Sequence, residues 1–410
     1  MLSIFTLKIR KIVVILVTNM FLYGCVAGGT NSTLSSTNRF TSETPSQALS
    51  LSLPLEINIV ELDPGIPSKA SEYEKEGVWP ELRRAESRKF SNDLKASLSR
   101  TNTFGGVYIT PNERYLSDIA IKGKIIKSNG EDLHLQITAT DSTGSRLINK
   151  KLYKHRTNEA FYKNLRNKNK DPFDSLFDNI SNDLIKSLKR KDLYNIQLIT
   201  ELRFAREMDM ENFQDSVSEK NNIVSTNFIP DANDPLFLRT KNIRSKDLLF
   251  RDNMQSTYDE FIKEMDESYD IWQKASFSAA VKERKAKNAA TLKGLAGAAL
   301  MIAGAVAMAD SGSGYNYNPG AYSSGFVGAL AGAALFDQAI ADNQKAKIHK
   351  ETINEVSESF DGKIAPKVIE LEGKTVTLDG NLSQQFMKWQ LLLKDIYVEE
   401  NSVIKDISIL

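Results

Sequence analysis

The segment Ile119–His155, IAIKGKIIKSNGEDLHLQITATDSTGSRLINKKLYKH, contains the clearest structural signal in the chain. Residues of alternating polarity run from Ile119 to Lys127 and again from Leu133 to Thr140. Between them stands Asn129-Gly130, a dipeptide that favours the tight turn of a two-stranded hairpin. The segment therefore predicts a β-hairpin with one apolar face.

A third strand extends this hairpin into a meander. Asp141 to Gly144 supplies a second turn, and the alternating pattern returns from Leu147 to His155. Side chains of one strand that are two residues apart point to the same face of a sheet. The predicted buried face of the middle strand consists of Leu133, Leu135, Ile137 and Ala139.

Elements of both kinds surround the meander. The alternating stretch Leu55–Leu62 predicts a strand, Trp79-Pro80-Glu81 predicts the start of a helix, and Val107–Ile109 predicts another strand. Asp171 precedes a helical stripe of apolar residues. We therefore expect the fold class to be α+β, with a small α/β domain over residues 53–190.

Five segments carry a resemblance to a known family: Leu94–Phe104, Asp118–Gly123, Asn129-Gly130, Asp141–Gly144 and the helix that begins near Asp171. In this order they resemble the amino-terminal domain of the Tol translocation protein TolB, and similar domains of the curli secretion lipoprotein and some flagellar outer-membrane lipoproteins. The resemblance covers about a third of the chain, and it implies a non-catalytic domain of a protein that works in envelope assembly or secretion.

The first 25 residues look like a bacterial lipoprotein signal peptide. Lys8, Arg10 and Lys11 precede an apolar stretch, Ile12–Leu22, that is short for a membrane span. The stretch leads into Leu22-Tyr23-Gly24-Cys25, which is similar to a lipobox. We expect residues 1–24 to be removed and Cys25 to be lipidated. The alternative is an uncleaved anchor with an incidental cysteine.

Cys25 is the only cysteine, so the mature chain can form no internal disulfide bond. Val26 follows it, where an aspartate often marks retention in the inner membrane. By that resemblance we expect attachment to the outer membrane, on its periplasmic face. Residues 25–52 are rich in Ser, Thr, Gly and Asn, which predicts a flexible tether.

The charge of the chain is balanced. It contains 53 basic and 52 acidic residues, and removal of the three basic residues of the signal segment leaves 50 against 52. A balanced chain offers no electrostatic basis for binding nucleic acid, so we expect no such partner.

The second half of the chain is predicted to be mainly helical. Residues 191–290 form a helical region interrupted by a loop-like stretch, Asn221–Asn242, after which a long helical pattern begins at Arg244. Residues 341–410 predict a helix followed by a small carboxy-terminal α/β cap, with a hairpin around Glu372-Gly373 and a last amphipathic helix over Asn381–Glu399.

Residues 291–340 contain two uncharged stretches of small residues, Gly294–Ala309 and Ser324–Phe336, around a polar turn. Small residues four apart lie on one helix face and allow two helices to approach closely. This pattern resembles the glycine-zipper segments of envelope lipoproteins and predicts a helical hairpin. The residues expected to contact a membrane or a second copy are Gly294, Ala298, Gly304, Gly328 and Gly332.

Three interpretations of this hairpin remain open at the level of the sequence. It packs within the protein, it inserts into a membrane, or it drives self-assembly or pore formation. Sixteen helical residues span about 24 Å, while the hydrocarbon core is about 30 Å thick, so the length does not favour a full crossing. A homo-oligomer is compatible with the second and third interpretations.

No catalytic or metal-binding pattern stands out. His134, His155 and His349 show no metal-ligand spacing, and each is expected to have a structural or solvated role. An acidic cluster consists of Glu72, Glu74, Glu76, Glu81 and Glu86, and we expect it to be a solvated face at a helix start. We therefore predict no catalytic residue, no metal and no cofactor.

These expectations together describe a non-enzymatic, lipid-anchored envelope protein that scaffolds or assists an outer-membrane assembly with an unidentified envelope protein partner. The alternative is a component of a secretion or pore-forming complex. An enzyme that acts on peptidoglycan or lipid is a third hypothesis, for which the sequence nominates no residue.

Overall fold

The structure is a computed structural model that describes residues 54–167, 170–292, 344–362, 364–371 and 374–407. The predicted signal peptide, all of the predicted tether, and residues 293–340 of the predicted Gly/Ala hairpin, with its five contact residues, lie outside these ranges.

The amino-terminal half contains a five-stranded mixed sheet in the order β2-β1-β3-β4-β5. Strand β1 lies between β2 and β3 and is parallel to both, while β3, β4 and β5 form an antiparallel meander. This confirms the predicted α+β class and the predicted meander. The strands are β1 (Glu56–Val60), β2 (Gly106–Thr110), β3 (Ile119–Ser128), β4 (Asp132–Asp141) and β5 (Arg146–Arg156).

The turns of the meander have the backbone geometry that their sequences favour. Gly130 and Gly144 both have positive φ values, +77° and +84°, which L-amino acids with a side chain rarely adopt. The predicted inward residues of β4 are fully buried, from Leu133 to Ala139. The hairpin predicted at Asn129-Gly130 and its buried face are therefore confirmed.

Two long helices cover the inner face of the sheet. They are α2 (Pro80–Arg100), which connects β1 to β2, and α4 (Asp174–Leu188), which follows β5. Pro80 occupies the first turn of α2, where the amide that it lacks would have had no helical partner. Two short helices, α1 (Tyr73–Glu76) and α3 (Glu159–Lys163), precede them. Phe90 of α2 packs against Phe177 of α4, with ring centroids 6.0 Å apart.

The next segment corrects part of the sequence interpretation. Helices α5 (Leu193–Met208) and α6 (Met210–Phe213) lead into a β-hairpin of β6 (Val217–Lys220) and β7 (Ile223–Thr226). The stretch Asn221–Asn242 was expected to be a loop. That expectation is confirmed for residues 227–234 and is wrong at both ends, which contain β7 and the start of the next helix. Asn221 and Asn222 have φ values of 54° and 62°, so they form a tight turn without glycine.

The long helix α7 (Pro235–Leu292) begins nine residues before Arg244, where the helical pattern was predicted to start. Its start has a local cause, because Asp234 Oδ1 accepts hydrogen bonds from the amides of Leu236 and Phe237. Pro235 occupies the first helical position, where proline is favoured. The helix contains 58 residues, which corresponds to about 87 Å.

Helix α7 runs the whole length of the sheet. We call the end of the sheet where β1 begins the proximal end, and the end with the β3–β4 turn the distal end. Arg244 pairs with Glu56 at the proximal end, with 2.8 Å between Nη2 and Oε2. Arg284 pairs with Glu131 at the distal end, with 2.8 Å between Nε and Oε1. The carboxy-terminal end of α7 therefore lies at the distal end.

Two further helices return along α7 in the opposite direction. Helix α8 (Gln344–Asp361) contacts the middle of α7. The ring centroids of Phe360 and Phe261 are 4.9 Å apart, and His349 Nδ1 lies within hydrogen-bond distance of Ser268 Oγ. The predicted carboxy-terminal hairpin is present as β8 (Lys367–Leu371) and β9 (Lys374–Leu378). Helix α9 (Leu382–Ile407) follows and contacts the first part of α7.

One continuous apolar core contains side chains from the sheet and from α2, α4, α7, α8 and α9. The sequence-based boundary at residue 190 therefore does not separate two cores. A smaller cluster lies between α5, α6, the β6–β7 hairpin and the start of α7.

Candidate functional site

The site residues that the sequence nominated all lie outside the described ranges: Cys25, Gly294, Ala298, Gly304, Gly328 and Gly332. The described part of the chain draws attention to a different feature. Helix α2 buries a row of charged side chains between the sheet domain and the helices of the second half. We call this row the α2 seam, and it consists of Arg83, Glu86, Arg88 and Lys89, all of them buried.

Arg88 lies at the centre of the seam. Its guanidinium forms ion pairs with Glu61, which follows β1, at 3.2 Å, and with Asp361, the last residue of α8. It also stacks over Phe360, with 4.3 Å from Cζ to the ring centroid. Arg88 therefore joins the end of a central strand to the end of the helix that follows the Gly/Ala segment.

An open pocket of about 330 Å³ lies beside Arg88. It is formed at the carboxyl ends of β1 and β2, where the ends of α8 and α9 approach the sheet. Burial raises the pKa of the Glu61 carboxyl above its ordinary value, although Arg88 opposes that shift. The charged, aromatic and amide side chains that line the pocket are Glu61, Asp63, Arg88, Phe360, Asp361 and Asn381.

Glu86 is fully buried and contradicts its expected place in a solvated acidic face. Its Oε1 accepts a hydrogen bond from Ser128 Oγ at 2.5 Å, and Arg83 lies 3.6 Å from its Oε2. Burial raises the pKa of the Glu86 carboxyl, against the opposing influence of Arg83. The sequence interpretation was wrong for Glu86 because this residue faces Tyr269 of α7, whose hydroxyl lies 3.5 Å from its Oε1, and not solvent.

Lys89 forms a third ion-pair group. Its ammonium lies 2.8 Å from Asp93 and 2.6 Å from Asp171, and 5.1 Å from the ring centroid of Tyr269 on α7. Burial alone would lower the pKa of Lys89, but the two carboxylates raise it above its ordinary value. Burial raises the pKa of Asp93 to about 7, while Lys89 opposes the shift and Asp171 adds to it.

A second buried pair holds α7 to the carboxy-terminal helix. Asp247 and Arg251 pair within α7, and Asp247 Oδ1 accepts hydrogen bonds from Trp389 Nε1 at 3.0 Å and from Gln390 at 2.9 Å. Arg251 also donates to the carbonyl oxygen of Leu116 at 2.9 Å. The pair therefore joins α7, α9 and the loop after β2.

The three histidines occupy structural positions. His155 is 1% exposed, lies 3.2 Å from Ser175 Oγ and packs edge-on against Phe173. Burial lowers the pKa of His155 to about 4, and burial also lowers the pKa of the half-buried His134. His349 was expected on an exposed helix, but it is partly buried and lies 3.1 Å from Ser268 Oγ of α7.

Arg88 pairs with Asp361 across the two halves of the protein, and Tyr269 of α7 contacts both Glu86 and Lys89. The seam therefore holds the two halves in one arrangement. A buried charge whose partner is removed destabilises the fold, which gives such contacts their specificity. Within the described ranges, no group of three His, Cys, Asp or Glu side chains could hold a metal ion. None of the described helices is long and apolar enough to cross a bilayer.

Sequence reasoning missed the seam, although one signal was present. Arg83, Glu86 and Lys89 recur every three residues and therefore lie near one face of α2. A helix that connects two parallel strands must already bury another face against the sheet. The charged face of such a helix can be exposed to solvent or covered by a further layer of helices. The sequence alone does not distinguish these two arrangements.

Comparisons with known proteins found no family model, no curated protein and no solved structure that matches this chain. The resemblance to the TolB amino-terminal domain therefore stays a prediction that rests on element order and turns.

Proposed function

We propose that this protein is a non-enzymatic, lipid-anchored scaffold of the bacterial cell envelope, attached to the outer membrane through Cys25. The sequence around Cys25 supports the anchor, as described above. The observation that carries the scaffold is the path of α7 between the two ends of the sheet. A scaffold needs attachment points that are separated in space and held by a rigid body.

The described chain begins at Pro54, at the proximal end, where the carbonyl oxygen of Leu55 accepts a hydrogen bond from Gly105. Residues 26–53 connect this point to the anchor. The segment 293–343 follows Leu292, eight residues beyond the Arg284–Glu131 pair of the distal end. Eight helical residues correspond to about 12 Å. The two segments proposed to contact other molecules therefore leave the sheet domain at opposite ends.

The return of the chain supports the same role. Helix α8 follows segment 293–343 and ends in the α2 seam, where Asp361 pairs with Arg88 and with Arg84. Ser357 Oγ also donates to the carbonyl oxygen of Glu81 at 3.2 Å. Both chain segments that border 293–343 are thus fastened to the sheet domain, so a force on this segment is carried to the body that the tether holds.

The experiment is membrane fractionation of the wild-type chain and of a Cys25→Ala variant exported by an independent signal peptide. We expect acyl chains on wild-type Cys25 by mass spectrometry, recovery of that protein in the outer-membrane fraction, and release of the variant. A wild-type protein that is not acylated would contradict the proposal. If the Cys25→Ala variant stays in membranes, the anchoring role belongs to segment 293–343 instead.

A secretion or pore component remains the alternative. Electron microscopy of the detergent-extracted wild-type protein distinguishes the two proposals. Closed rings would favour the alternative, whereas monomers or small open assemblies would favour the scaffold.

A further inference from the structure

We propose that the proximal end of the body carries a lipid-contact surface that docks on anionic phospholipid headgroups. This inference rests on the lipid anchor of the proposed function and adds an orientation to it. The surface, which we call the basal surface, consists of Arg146, Lys189, Arg190, Lys191, Tyr194 and Ile223.

The β4–β5 turn brings these residues to one place. Lys191 donates from Nζ to Ser145 Oγ, and Arg146 follows Ser145 in the chain. The amide of Val224 donates to the carbonyl oxygen of Thr143 at 2.8 Å, which holds the tip of the β6–β7 hairpin against the turn.

The fit at this turn leaves little freedom. A Cβ atom added to Gly144 would lie 1.8 Å from the carbonyl oxygen of Asn222, so the two turns touch through their backbones. The hydroxyl of Ser142 donates to the carbonyl oxygen of Ile196, and Arg203 donates to the carbonyl oxygen of Ser142 at 3.0 Å. Helix α5 is thereby fixed to the same turn, with its first residues at the proximal end.

The composition of the basal surface suits a membrane interface. Four basic residues outnumber the two carboxylates nearby: Asp192 is already engaged as the cap of α5 with the amide of Asn195, and Glu219 of β6 lies near Arg203. Tyr194 is 67% exposed and Ile223 is 50% exposed. An exposed tyrosine places an apolar ring and a polar hydroxyl at the depth where headgroups meet acyl chains, and basic residues attract anionic lipid.

The position of the tether selects a lipid surface as the occupant. Gln197, one turn along α5 from Leu193, donates to the carbonyl oxygen of Pro54 at 3.4 Å, so the tether begins beside the basal surface. Twenty-eight residues between Cys25 and Pro54 reach at most about 95 Å, and as a random coil they would span about 30 Å. A lipidated Cys25 would therefore hold this surface close to a bilayer at high effective concentration.

Docking of the basal surface would orient the whole body. Helix α7 runs from the proximal to the distal end, so its carboxy-terminal end would point away from the anchoring bilayer. Segment 293–343 would then be presented to a partner on the far side of the body instead of to the bilayer that carries the lipid anchor.

The first test relies on the fact that the chain has one native cysteine, Cys25. Acylation consumes Cys25, so a cysteine introduced by Ile223→Cys or by Lys282→Cys is the only free thiol of the lipidated full-length protein. Each variant carries a donor dye and is reconstituted into vesicles of phosphatidylethanolamine and phosphatidylglycerol with an acceptor dye on the headgroups. We expect strong energy transfer from position 223 and weak transfer from position 282. Equal transfer, or stronger transfer from 282, would overturn the proposal.

The second test measures affinity without the lipid. The Cys25→Ala full mature chain is titrated with vesicles that contain phosphatidylglycerol, and the double variant Lys189→Gln/Arg190→Gln is compared with it. We expect the partition coefficient to fall roughly 10- to 30-fold, and to fall similarly when phosphatidylcholine replaces phosphatidylglycerol. The matched control is Lys154→Gln/Lys282→Gln, which removes the same charge near the distal end and is expected to change the coefficient less than threefold.

Equal losses in the two double variants, or no binding to anionic vesicles, would refute the lipid-contact surface. The second of these results would instead point to a protein partner. Failure of the anchor itself is seen separately, as wild-type protein that lacks acyl chains, and it does not depend on the dye positions or on the lysine variants.

Discussion

The inner face of the sheet and the α2 seam are both buried, but they are built from opposite kinds of side chain. The sheet face consists of aliphatic residues that alternate along β3 and β4 and pack on Phe90 and Phe177. The seam consists of charged residues that pair with Glu61, Asp361, Asp93 and Asp171. One region lies within the sheet domain, and the other joins that domain to helices more than 150 residues away.

The two regions contribute differently to the stability and to the specificity of the fold. Apolar burial is favourable against almost any apolar partner, so the sheet face stabilises the fold without demanding one exact neighbour. Buried charges lose their hydration and regain it only through well-placed partners. The seam therefore adds little net stability but strongly disfavours other placements of α7 and α8. Five predictions test this contrast, in order of decreasing change in stability.

The largest loss is expected in the apolar region. Phe177→Ala removes a ring that is 1% exposed and should lower the free energy of unfolding by about 3–5 kcal/mol. Urea denaturation followed by circular dichroism measures this change. The matched control is Leu152→Ala on the outer face of β5, which is 41% exposed and should cost less than about 1 kcal/mol. Similar losses in both variants would contradict the assignment of the inner face.

His155 should make the same apolar region sensitive to acid. Its pKa is lowered from 6.5 to about 4 in the folded protein, so the unfolded chain takes up a proton first as the pH falls. The stability that His155 contributes is present above pH 6.5 and is lost as the pH falls towards 4, by up to about 3 kcal/mol. In His155→Gln this loss should be absent. An unchanged pH profile of stability in the variant would count against a neutral buried imidazole.

Arg88→Met should test the specificity of the seam. It leaves Glu61 and Asp361 without their shared partner and should lower stability by about 2 kcal/mol, because both carboxylates keep some contact with water. The control Arg84→Met removes a more exposed arginine that also pairs with Asp361, and it should cost less than about 1 kcal/mol. A second substitution, Glu61→Gln, in the Arg88→Met variant should recover part of the lost stability. If it does not, the loss of the Arg88–Glu61 ion pair is not the cause of the destabilisation.

Asp93 should respond to pH with the opposite sign from His155. Burial raises its pKa from 3.8 to about 7, so the folded protein holds a proton that the unfolded chain has released. The stability linked to this proton is present below pH 3.8 and is lost as the pH rises towards 7, by roughly 1–2 kcal/mol. Stability measurements on Asp93→Asn between pH 4 and 7 should show a flatter profile than wild type. A steeper profile would refute the shift.

The smallest effect is expected where α7 covers the edge strand. Gln255 accepts a hydrogen bond from the amide of Ile109 at 2.9 Å and donates to its carbonyl oxygen at 3.1 Å, as a neighbouring strand would. Gln255→Ala should lower stability by about 1 kcal/mol and speed hydrogen exchange at Ile109. The exposed Ser256→Ala serves as control and should leave that exchange rate unchanged.

Local patterns account for most of what could be predicted. The meander followed from alternation and the Asn129-Gly130 turn, and the start of α2 followed from Pro80. The β6–β7 hairpin was missed because two asparagines form its turn in place of the usual Asn-Gly pair, and its strands are only four residues long. The seam was missed because the type of a charged residue does not show whether its side chain is exposed to water or buried in an ion pair.

Local sequence patterns specify the elements of the sheet domain, the helical character of the second half and the residues that nominate a lipid anchor, because these depend on neighbours within a few positions. Long-range packing establishes that Glu86 and Arg88 are buried, that α7 crosses from one end of the sheet to the other, and that α8 returns to the α2 seam. These features depend on contacts between residues as far apart as Arg88 and Asp361. Such contacts leave no periodic trace in a single chain.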